Sequence, residues 1–250
     1  MLTLTLHKQK FKVLSHEADI HICASLYSFS NYLQEAARNH AEQLGLGIGL
    51  LKNKKQFWVL TRMIIKIDEF PLLGSEIEVL TWPKGADKLF ALRDFEVYQN
   101  GKIIGKATSS WALLQLSNRR PIAVSNLGKI MFERQDVHAI DTPPKKLPTP
   151  KNVVELPNHA VRFSELDLNG HVNNTRYINW MMDTFQAVYH KTHMVTHVQM
   201  NFLAEVFPDQ ELKILREEIA PDNFLFEVQN DQEKPLFRGE LQFKSLTSTP

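Results

Sequence analysis

The sequence has only one cysteine, Cys23, among its 250 residues. A single thiol excludes an intramolecular disulfide and a thiolate-rich metal site, and it is typical of proteins from a reducing compartment. A strong charge of one sign is also missing, because the formal net charge is +1. The chain therefore has no overall attraction to nucleic acid or to an anionic membrane surface. We expect neither a nucleic-acid partner nor a bound metal.

Long apolar segments are missing too. No run approaches the roughly 18 residues that a membrane-spanning helix requires. Residues 1–12 alternate apolar and polar side chains, whereas a secretory signal has a basic region followed by an apolar block. These absences predict a cytoplasmic protein without membrane insertion. The 43% content of hydrophobic residues is sufficient for one large or two small cores.

A proline-rich segment separates two regions of regular hydrophobic patterning. This segment, 131–156, has neither the strand period nor the helix period, and it predicts an extended linker between domains 1–130 and 157–250. In the first domain, an apolar stripe from Leu33 to Leu44 predicts an amphipathic helix that ends at Gly45. The candidate N-caps are Ser28, Ser30 and Asn31. Strand-like runs follow at 57–68, 76–82, 90–99 and 102–115, the last two joined by a predicted Asn100-Gly101 hairpin turn.

The second domain repeats this order. A helical stripe from Tyr177 to Val188 follows candidate caps at 173–175, and strand-like runs follow at 196–206, 211–219, 224–229 and 236–243. Residues 70–80 and 206–215 also echo each other. The pattern predicts a duplicated α+β unit, a tandem double hot-dog in which each half is a long helix wrapped by an antiparallel β-sheet.

Only the second domain carries a dense polar cluster. The run from Asp167 to Asn174 contains a carboxylate, an imidazole and three carboxamides directly before the predicted helix. The corresponding part of the first domain has Asp19, His21 and Cys23 instead. We expect the second half to carry the chemistry and the first half to supply binding surface.

The cluster is suited to acyl transfer. A helix that begins near Asn174 would place N–H groups and the positive end of its dipole beside His171, where they could stabilise an oxyanion. A thioester demands least of such a site, because its thiol, with a pKa of about 8.5, can leave as a thiolate. The candidate bases or nucleophiles are Asp167 and Glu205. Two other interpretations stay open: Asp-x-Asn-Gly is a common turn motif, and Glu205 can be a solvated strand residue.

Several ordered strings resemble the acyl-acyl carrier protein thioesterases, the plant plastid enzymes that end fatty acid synthesis and their bacterial relatives. The strings lie in both halves, at 33–41, 58–63, Trp82, 107–111 with 119–120, and 171–174 with Tyr177 and Trp180. The resemblance implies a double hot-dog hydrolase of fatty acid biosynthesis that releases free fatty acid from acyl carrier protein and needs no cofactor.

The resemblance carries the family's catalytic set onto Asp167, Asn169, His171 and Glu205. The plant enzymes have a cysteine directly after that glutamate, where this chain has Val206. A cysteine acyl-enzyme at this position is therefore excluded, and we expect Glu205 to activate water or to attack the thioester directly. In this hypothesis Asn169 orients the water or the thioester, His171 donates a hydrogen bond or relays a proton, and Asp167 holds the imidazole tautomer.

The acyl chain needs an apolar tunnel, which we expect beside the first helix and its sheet. The predicted substrate-binding residues, some of which could equally be core, are Leu33, Ala37, Trp58, Arg62, Ile64, Trp111, Asn173 and Asn174. The predicted partner is an acidic acyl carrier protein that carries a long-chain acyl-phosphopantetheine. One of the basic loops at 52–55, 119–120 or 145–146 would contact it. A homodimer remains possible.

Three other functions could use the same residues. An acyl-CoA thioesterase needs the same catalytic groups, and a hot-dog dehydratase needs a histidine and an acid but no hydrolytic water. A non-catalytic acyl-thioester binding protein would not require Asp167, His171 and Glu205 to converge. Their distance therefore separates the enzymes from the binding protein, since general acid–base catalysis requires hydrogen-bond reach.

Overall fold

A computed structural model describes residues 5–128, 131 and 133–246. Residues 1–4 of the alternating N-terminal run, and 129, 130 and 132 at the predicted domain boundary, lie outside the described residues. The chain divides into two compact units, Met1–Pro144 and Lys145–Pro250, so the division lies inside the segment predicted as a linker. Among the described residues, none of the helices has the length and hydrophobicity needed to cross a membrane.

The first unit is an antiparallel sheet packed against a long helix. Helix α1 spans Leu26–Gln43 and α2 spans Ile48–Asn53. The strands are β1 (His7–Lys12), β2 (Gln56–Ile67), β3 (Glu76–Asp87), β4 (Phe90–Gln99), β5 (Lys102–Gln115) and β6 (Pro121–Ile122). They lie in the order β1-β3-β4-β5-β2, with β6 beside β5, and all pairs are antiparallel.

Helix α1 begins one turn earlier than predicted. Its N-cap is Ser25, whose hydroxyl accepts the Ser28 N–H at 3.2 Å, so the candidates Ser28, Ser30 and Asn31 lie inside the helix. The reason is that Leu26 and Phe29 are buried and extend the apolar face by a further turn. The predicted end is confirmed, because Gly45 has φ of +67° and its N–H donates to the Glu42 carbonyl at 3.0 Å.

The hairpin between β4 and β5 is confirmed. Both strands begin and end at the predicted residues. Asn100 and Gly101 have φ of 51° and 78°, and a two-residue type I′ turn requires positive φ at both positions.

A buried ion pair holds part of the predicted linker against the first unit. Lys84 and Asp94 are 3% and 0% exposed and lie 2.9 Å apart. The Asp94 carboxylate accepts the Ala139 N–H at 2.7 Å, and the Lys84 ammonium donates to the Ile140 carbonyl at 2.9 Å. The chain at 139–140 is therefore anchored by charged side chains of β3 and β4.

The second unit repeats the sheet. Its strands are β7 (Val154–Glu155), β8 (His159–Ala160), β9 (His193–Phe202), β10 (Glu211–Ala220), β11 (Asn223–Gln229) and β12 (Pro235–Ser245). They lie in the order β9-β12-β11-β10-β7, and β8 pairs with β10. Helix α3 spans Arg176–Met182 and α4 spans Ala187–Thr192. β7 shows that the segment predicted as a linker is not entirely irregular.

The helix of this half is shorter than predicted, because it is interrupted at Thr184. The Thr184 hydroxyl donates to the Met181 carbonyl at 2.7 Å, and Arg216 of β10 donates to the Thr184 carbonyl at 2.7 Å. Such side-chain bonds replace those of a continuing helix. Packing of α3 on the sheet depends on Gly239, where an added Cβ would lie 2.2 Å from the Met181 sulfur.

Candidate active site

Asp167 builds the loop that carries His171. The Asp167 N–H donates to the His171 carbonyl at 2.7 Å. Its Oδ1 accepts the N–H of Asn169 at 2.7 Å and that of His171 at 3.3 Å. Gly170 has φ of +75°, a conformation that glycine adopts at little cost. The same residues therefore form a side-chain-stabilised turn and carry the polar cluster.

His171 and Glu205 lie in contact where this loop closes. The His171 Nδ1 lies 3.4 Å from the Glu205 Oε1, and the two side chains are 23% and 29% exposed. The Val172 N–H donates to the Val206 carbonyl at 3.0 Å, so a backbone bond joins the residues directly after the pair. The Phe207 ring packs edge-on against the imidazole at 4.9 Å. The imidazole and one of the two candidate carboxylates are therefore close to each other, as general acid–base chemistry requires.

Two expectations about this pair change. Glu205 was expected on a strand that runs to 206, but β9 ends at Phe202 and Glu205 lies in the segment that follows. Asp167 was expected to hold the imidazole, but its carboxylate accepts backbone N–H groups and lies 3.4 Å from the Asn169 amide. The carboxylate beside Nδ1 is that of Glu205, whereas the Asp167 carboxylate accepts N–H groups of its own loop.

The start of α3 differs from the predicted oxyanion site near Asn174. The helix begins at Arg176. The Asn173 Oδ1 accepts both the N–H and the hydroxyl of Thr175 at 3.0 Å, and its carbonyl accepts the Arg176 N–H at 2.9 Å. Two N–H groups at the helix start are therefore engaged by Asn173. Contact of Asn173 and Asn174 with a substrate stays a prediction.

The predicted tunnel residues on the first sheet do not share one face. A bulge between Leu60 and Arg62 reverses the alternation of side chains along β2. Trp58 consequently lies on the face of Trp111 in β5, while Arg62 and Ile64 lie on the opposite face. The predicted tunnel residues of this sheet therefore lie on both of its faces.

Four of the predicted tunnel residues are buried or pack against buried residues. Leu33 and Ala37 are buried on α1. The Trp58 indole donates to the Leu46 carbonyl at 3.1 Å, and both Trp58 and Trp111 pack against a small core cluster. Their contact with an acyl chain stays a prediction.

Cys23 is poorly placed to act as a nucleophile. The side chain is 3% exposed, and its sulfur lies 3.6 Å from the Asp19 Oδ1. Burial, together with the Asp19 charge, raises the pKa of the thiol to about 12. Because the thiolate is the reactive form, this thiol is unreactive at neutral pH.

Within the described ranges, no group of three or more His, Cys, Asp or Glu side chains could hold a metal ion.

Sequence reasoning missed Glu165, which lies at the base of the loop. Its carboxylate accepts the Trp180 indole N–H at 2.6 Å and the Arg162 N–H at 2.7 Å, and it contacts the His159 Nε2 at 3.0 Å. Partial burial opposes ionisation, but these hydrogen bonds lower the pKa of Glu165 below its ordinary value. A signal was available, because Glu17 precedes Tyr32 by the same 15 positions.

Two family models match the chain. The model described as acyl-ACP thioesterase N-terminal domain matches residues 5–127, and the one described as acyl-ACP thioesterase C-terminal domain matches residues 149–245. The chain belongs to the acyl-ACP thioesterase family. The C-terminal match contains the whole loop from Asp167 to His171 and the segment of Glu205.

Several curated relatives in this family are plant proteins. The chain is 26% identical over 240 residues to an oleoyl-acyl carrier protein thioesterase of Arabidopsis thaliana, covering 86% of this chain and 64% of that protein. It is 27% identical to a palmitoyl-acyl carrier protein thioesterase of Gossypium hirsutum, covering 83% of this chain and 54% of that protein. The chain thus spans between about half and two thirds of the length of these relatives.

Solved structures of acyl-ACP thioesterases share the fold. A protein from Bacteroides thetaiotaomicron has a TM-score of 0.83 at 28% identity, covering 96% of this chain and 98% of that chain. The 12:0-ACP thioesterase from Umbellularia californica has a TM-score of 0.85 at 22% identity, with 98% and 99% covered. The predicted α+β tandem hot-dog fold is confirmed.

Proposed function

We propose that the chain hydrolyses the thioester of long-chain acyl-acyl carrier protein to free fatty acid and holo carrier protein. The observation that carries the proposal is the 3.4 Å approach of His171 Nδ1 to Glu205 Oε1 on two segments joined by a backbone hydrogen bond. Membership of the acyl-ACP thioesterase family supports an acyl thioester as the substrate.

Glu205 supplies the base. Its Oε1 contacts the imidazole, and a carboxylate has a second oxygen that can accept a proton. This oxygen takes one proton from a water molecule as the water oxygen attacks the thioester carbonyl carbon. The tetrahedral intermediate then collapses with cleavage of the C–S bond, and the proton passes through His171 to the leaving thiolate. A thiol with a pKa of about 8.5 needs little assistance to leave.

The reaction proceeds without a cysteine nucleophile. Val206 follows Glu205, and Cys23 is buried with a raised thiol pKa. Asn169, which precedes His171 by two positions on the same loop, orients the water or the thioester carbonyl. Asp167 holds this loop in shape through its backbone contacts.

The acyl chain binds in the first unit in this proposal. Leu33, Ala37, Trp58 and Trp111 supply apolar surface there, and an acidic carrier protein docks on one of the basic loops. We place the reaction in the cytoplasm, although the curated relatives are named chloroplastic. A homodimer is compatible with the proposal.

A substrate panel tests the function. The wild-type chain is assayed for release of free thiol from saturated acyl groups of graded length, each presented once on acyl carrier protein and once on CoA. We expect the highest kcat/KM with long chains on the carrier protein. Equal or better rates with CoA would make the chain an acyl-CoA thioesterase. Tight binding without release of thiol would identify a binding protein or a dehydratase and would contradict the proposal.

A further inference from the structure

Glu165 joins the loop that carries His171 to helix α3. Its carboxylate accepts the indole N–H of Trp180 at 2.6 Å and contacts His159 Nε2 with both oxygens at 3.0 Å. Trp180 is 4% exposed, and the His159 ring packs on it at a centroid distance of 4.8 Å. The carboxylate is therefore held by two side chains that are themselves packed, and hydrogen bonds to a charged group are the stronger ones.

The backbone of Glu165 closes the base of the same loop. Its carbonyl accepts the Asn173 N–H at 2.9 Å, and the next residue, Leu166, forms an antiparallel bridge with Val172. Val172 in turn donates to the Val206 carbonyl at 3.0 Å. A displacement of Glu165 would consequently be transmitted to Val172, which is bonded to the segment that carries Glu205.

The first unit contains the same set of contacts around a glutamate, here called the glutamate junction, but not the pair His171 and Glu205. The Glu17 carboxylate accepts the Tyr32 hydroxyl at 2.9 Å and the Leu14 N–H at 2.7 Å. Its carbonyl accepts the Ser25 N–H at 2.8 Å. Phe11 packs on Tyr32 at 5.0 Å, as His159 packs on Trp180. A glutamate therefore closes this loop in both halves.

Only the half with His171 adds an imidazole to the junction. Phe11 pairs with Ile77 in the first sheet, and His159 pairs with Leu212 at the matching place in the second. A phenyl ring fills the position well enough to support the loop, so packing alone does not require a histidine. The hydrogen bond from the His159 ring to the Glu165 carboxylate has no equivalent at Phe11, and it lies in the unit that contains His171 and Glu205.

We infer that Glu165, supported by His159 and Trp180, is a positioning residue for the proposed hydrolysis. It holds the loop 166–173 so that the imidazole of His171 stays within reach of Glu205. It does not contact the substrate. This inference rests on the proposed function, since it concerns the rate of that reaction.

The variant Glu165→Gln tests the inference, and Glu17→Gln is its matched control. Glutamine keeps the shape but replaces one acceptor oxygen by a donor, which opposes the N–H groups that face it. A misplacement of about 1 Å can cost about 100-fold in rate, so we expect kcat to fall about 10- to 100-fold. KM should stay near its wild-type value. Glu17→Gln removes the same acceptor in the other half and should leave kcat nearly unchanged.

The variant His159→Phe provides a second, milder test. Phe11 shows that a phenyl ring is accepted at this place, so the variant should fold with a thermal midpoint close to that of wild type. We expect a smaller fall in kcat than for Glu165→Gln, again without a change in KM. Steady-state kinetics on a single acyl carrier protein substrate and thermal unfolding of all three variants give the measurements.

The outcomes separate the inference from the proposed function. An unchanged kcat for Glu165→Gln, or an equal fall for Glu17→Gln, would overturn the positioning role. If Glu165→Gln does not fold, an unchanged kcat for His159→Phe overturns it. Absence of hydrolysis by the wild-type chain would instead overturn the proposed function.

Discussion

Replacing Glu205 by glutamine removes the proposed base and keeps the size of the side chain. The pair is partly exposed, at 23% and 29%, with a separation of 3.4 Å. An ion pair of this kind contributes at most about 1 kcal/mol to stability. A general base contributes about 10²- to 10⁴-fold to the rate, which corresponds to about 2.7–5.4 kcal/mol of barrier. The effect on kcat should therefore far exceed the effect on folding.

The assay compares Glu205→Gln with Asp209→Asn. Asp209 is an exposed carboxylate on the same segment with φ of 62°, a conformation that asparagine tolerates. Thiol release from an acyl carrier protein thioester gives kcat, and thermal unfolding gives the midpoint. We expect a fall of at least about 100-fold in kcat for Glu205→Gln, a midpoint shift below about 4 °C, and an unchanged kcat for Asp209→Asn. A near wild-type rate for Glu205→Gln would refute the assignment, as would an equal loss in the control.

Cys23→Ala should keep the wild-type kcat, because burial raises the pKa of this thiol to about 12; loss of steady-state activity in this variant would show that cysteine is needed. Asp167→Asn should retain more activity than Asp167→Ala, because asparagine keeps an Oδ1 acceptor for the loop N–H groups. Equal loss of kcat in both variants would indicate that the negative charge of Asp167 orients the imidazole of His171. Lys84→Met should destabilise the fold by about 3–5 kcal/mol, because it leaves Asp94 buried without its cation. Urea unfolding measures this effect, and a change below about 1 kcal/mol would contradict it.

Strands β4 and β5 could be predicted from the sequence because their signals are local. Alternating side chains and the Asn100-Gly101 turn determine the bounds of β4 and β5 without reference to the rest of the chain. The end of β9 could not be predicted in this way. After Phe202, the N–H groups of Leu203 and Ala204 both donate to the Leu236 carbonyl, and the Val206 carbonyl accepts the Val172 N–H. These partners are distant in sequence.

The interruption of the second helix has the same physical origin. Its apolar spacing continues through Thr184, but Arg216 from β10 bonds the Thr184 carbonyl, and helical periodicity contains no information about this contact. The division of the predicted tunnel residues follows from the bulge before Arg62, which a hydrophobic pattern does not reveal.

The residue types of the site could be predicted, but their partners could not. The motif and the family resemblance identify His171 and the two carboxylates, Asp167 and Glu205. Which carboxylate faces Nδ1 depends on the tertiary contact between the loop and the segment after β9. Glu165 was missed because its contacts with Trp180 and His159 are indicated in the sequence only by comparison of the two halves.

Hydrolysis of palmitoyl-acyl carrier protein in ¹⁸O-labelled water tests the central claim most directly. The wild-type chain and His171→Ala are compared, and free thiol and the mass of the released acid are measured together. We expect the wild-type chain to release thiol and ¹⁸O-containing fatty acid in equal amounts, and His171→Ala to release both at least about 10-fold more slowly. An intact thioester after incubation with the wild-type chain would contradict the account, and so would release by His171→Ala at the wild-type rate.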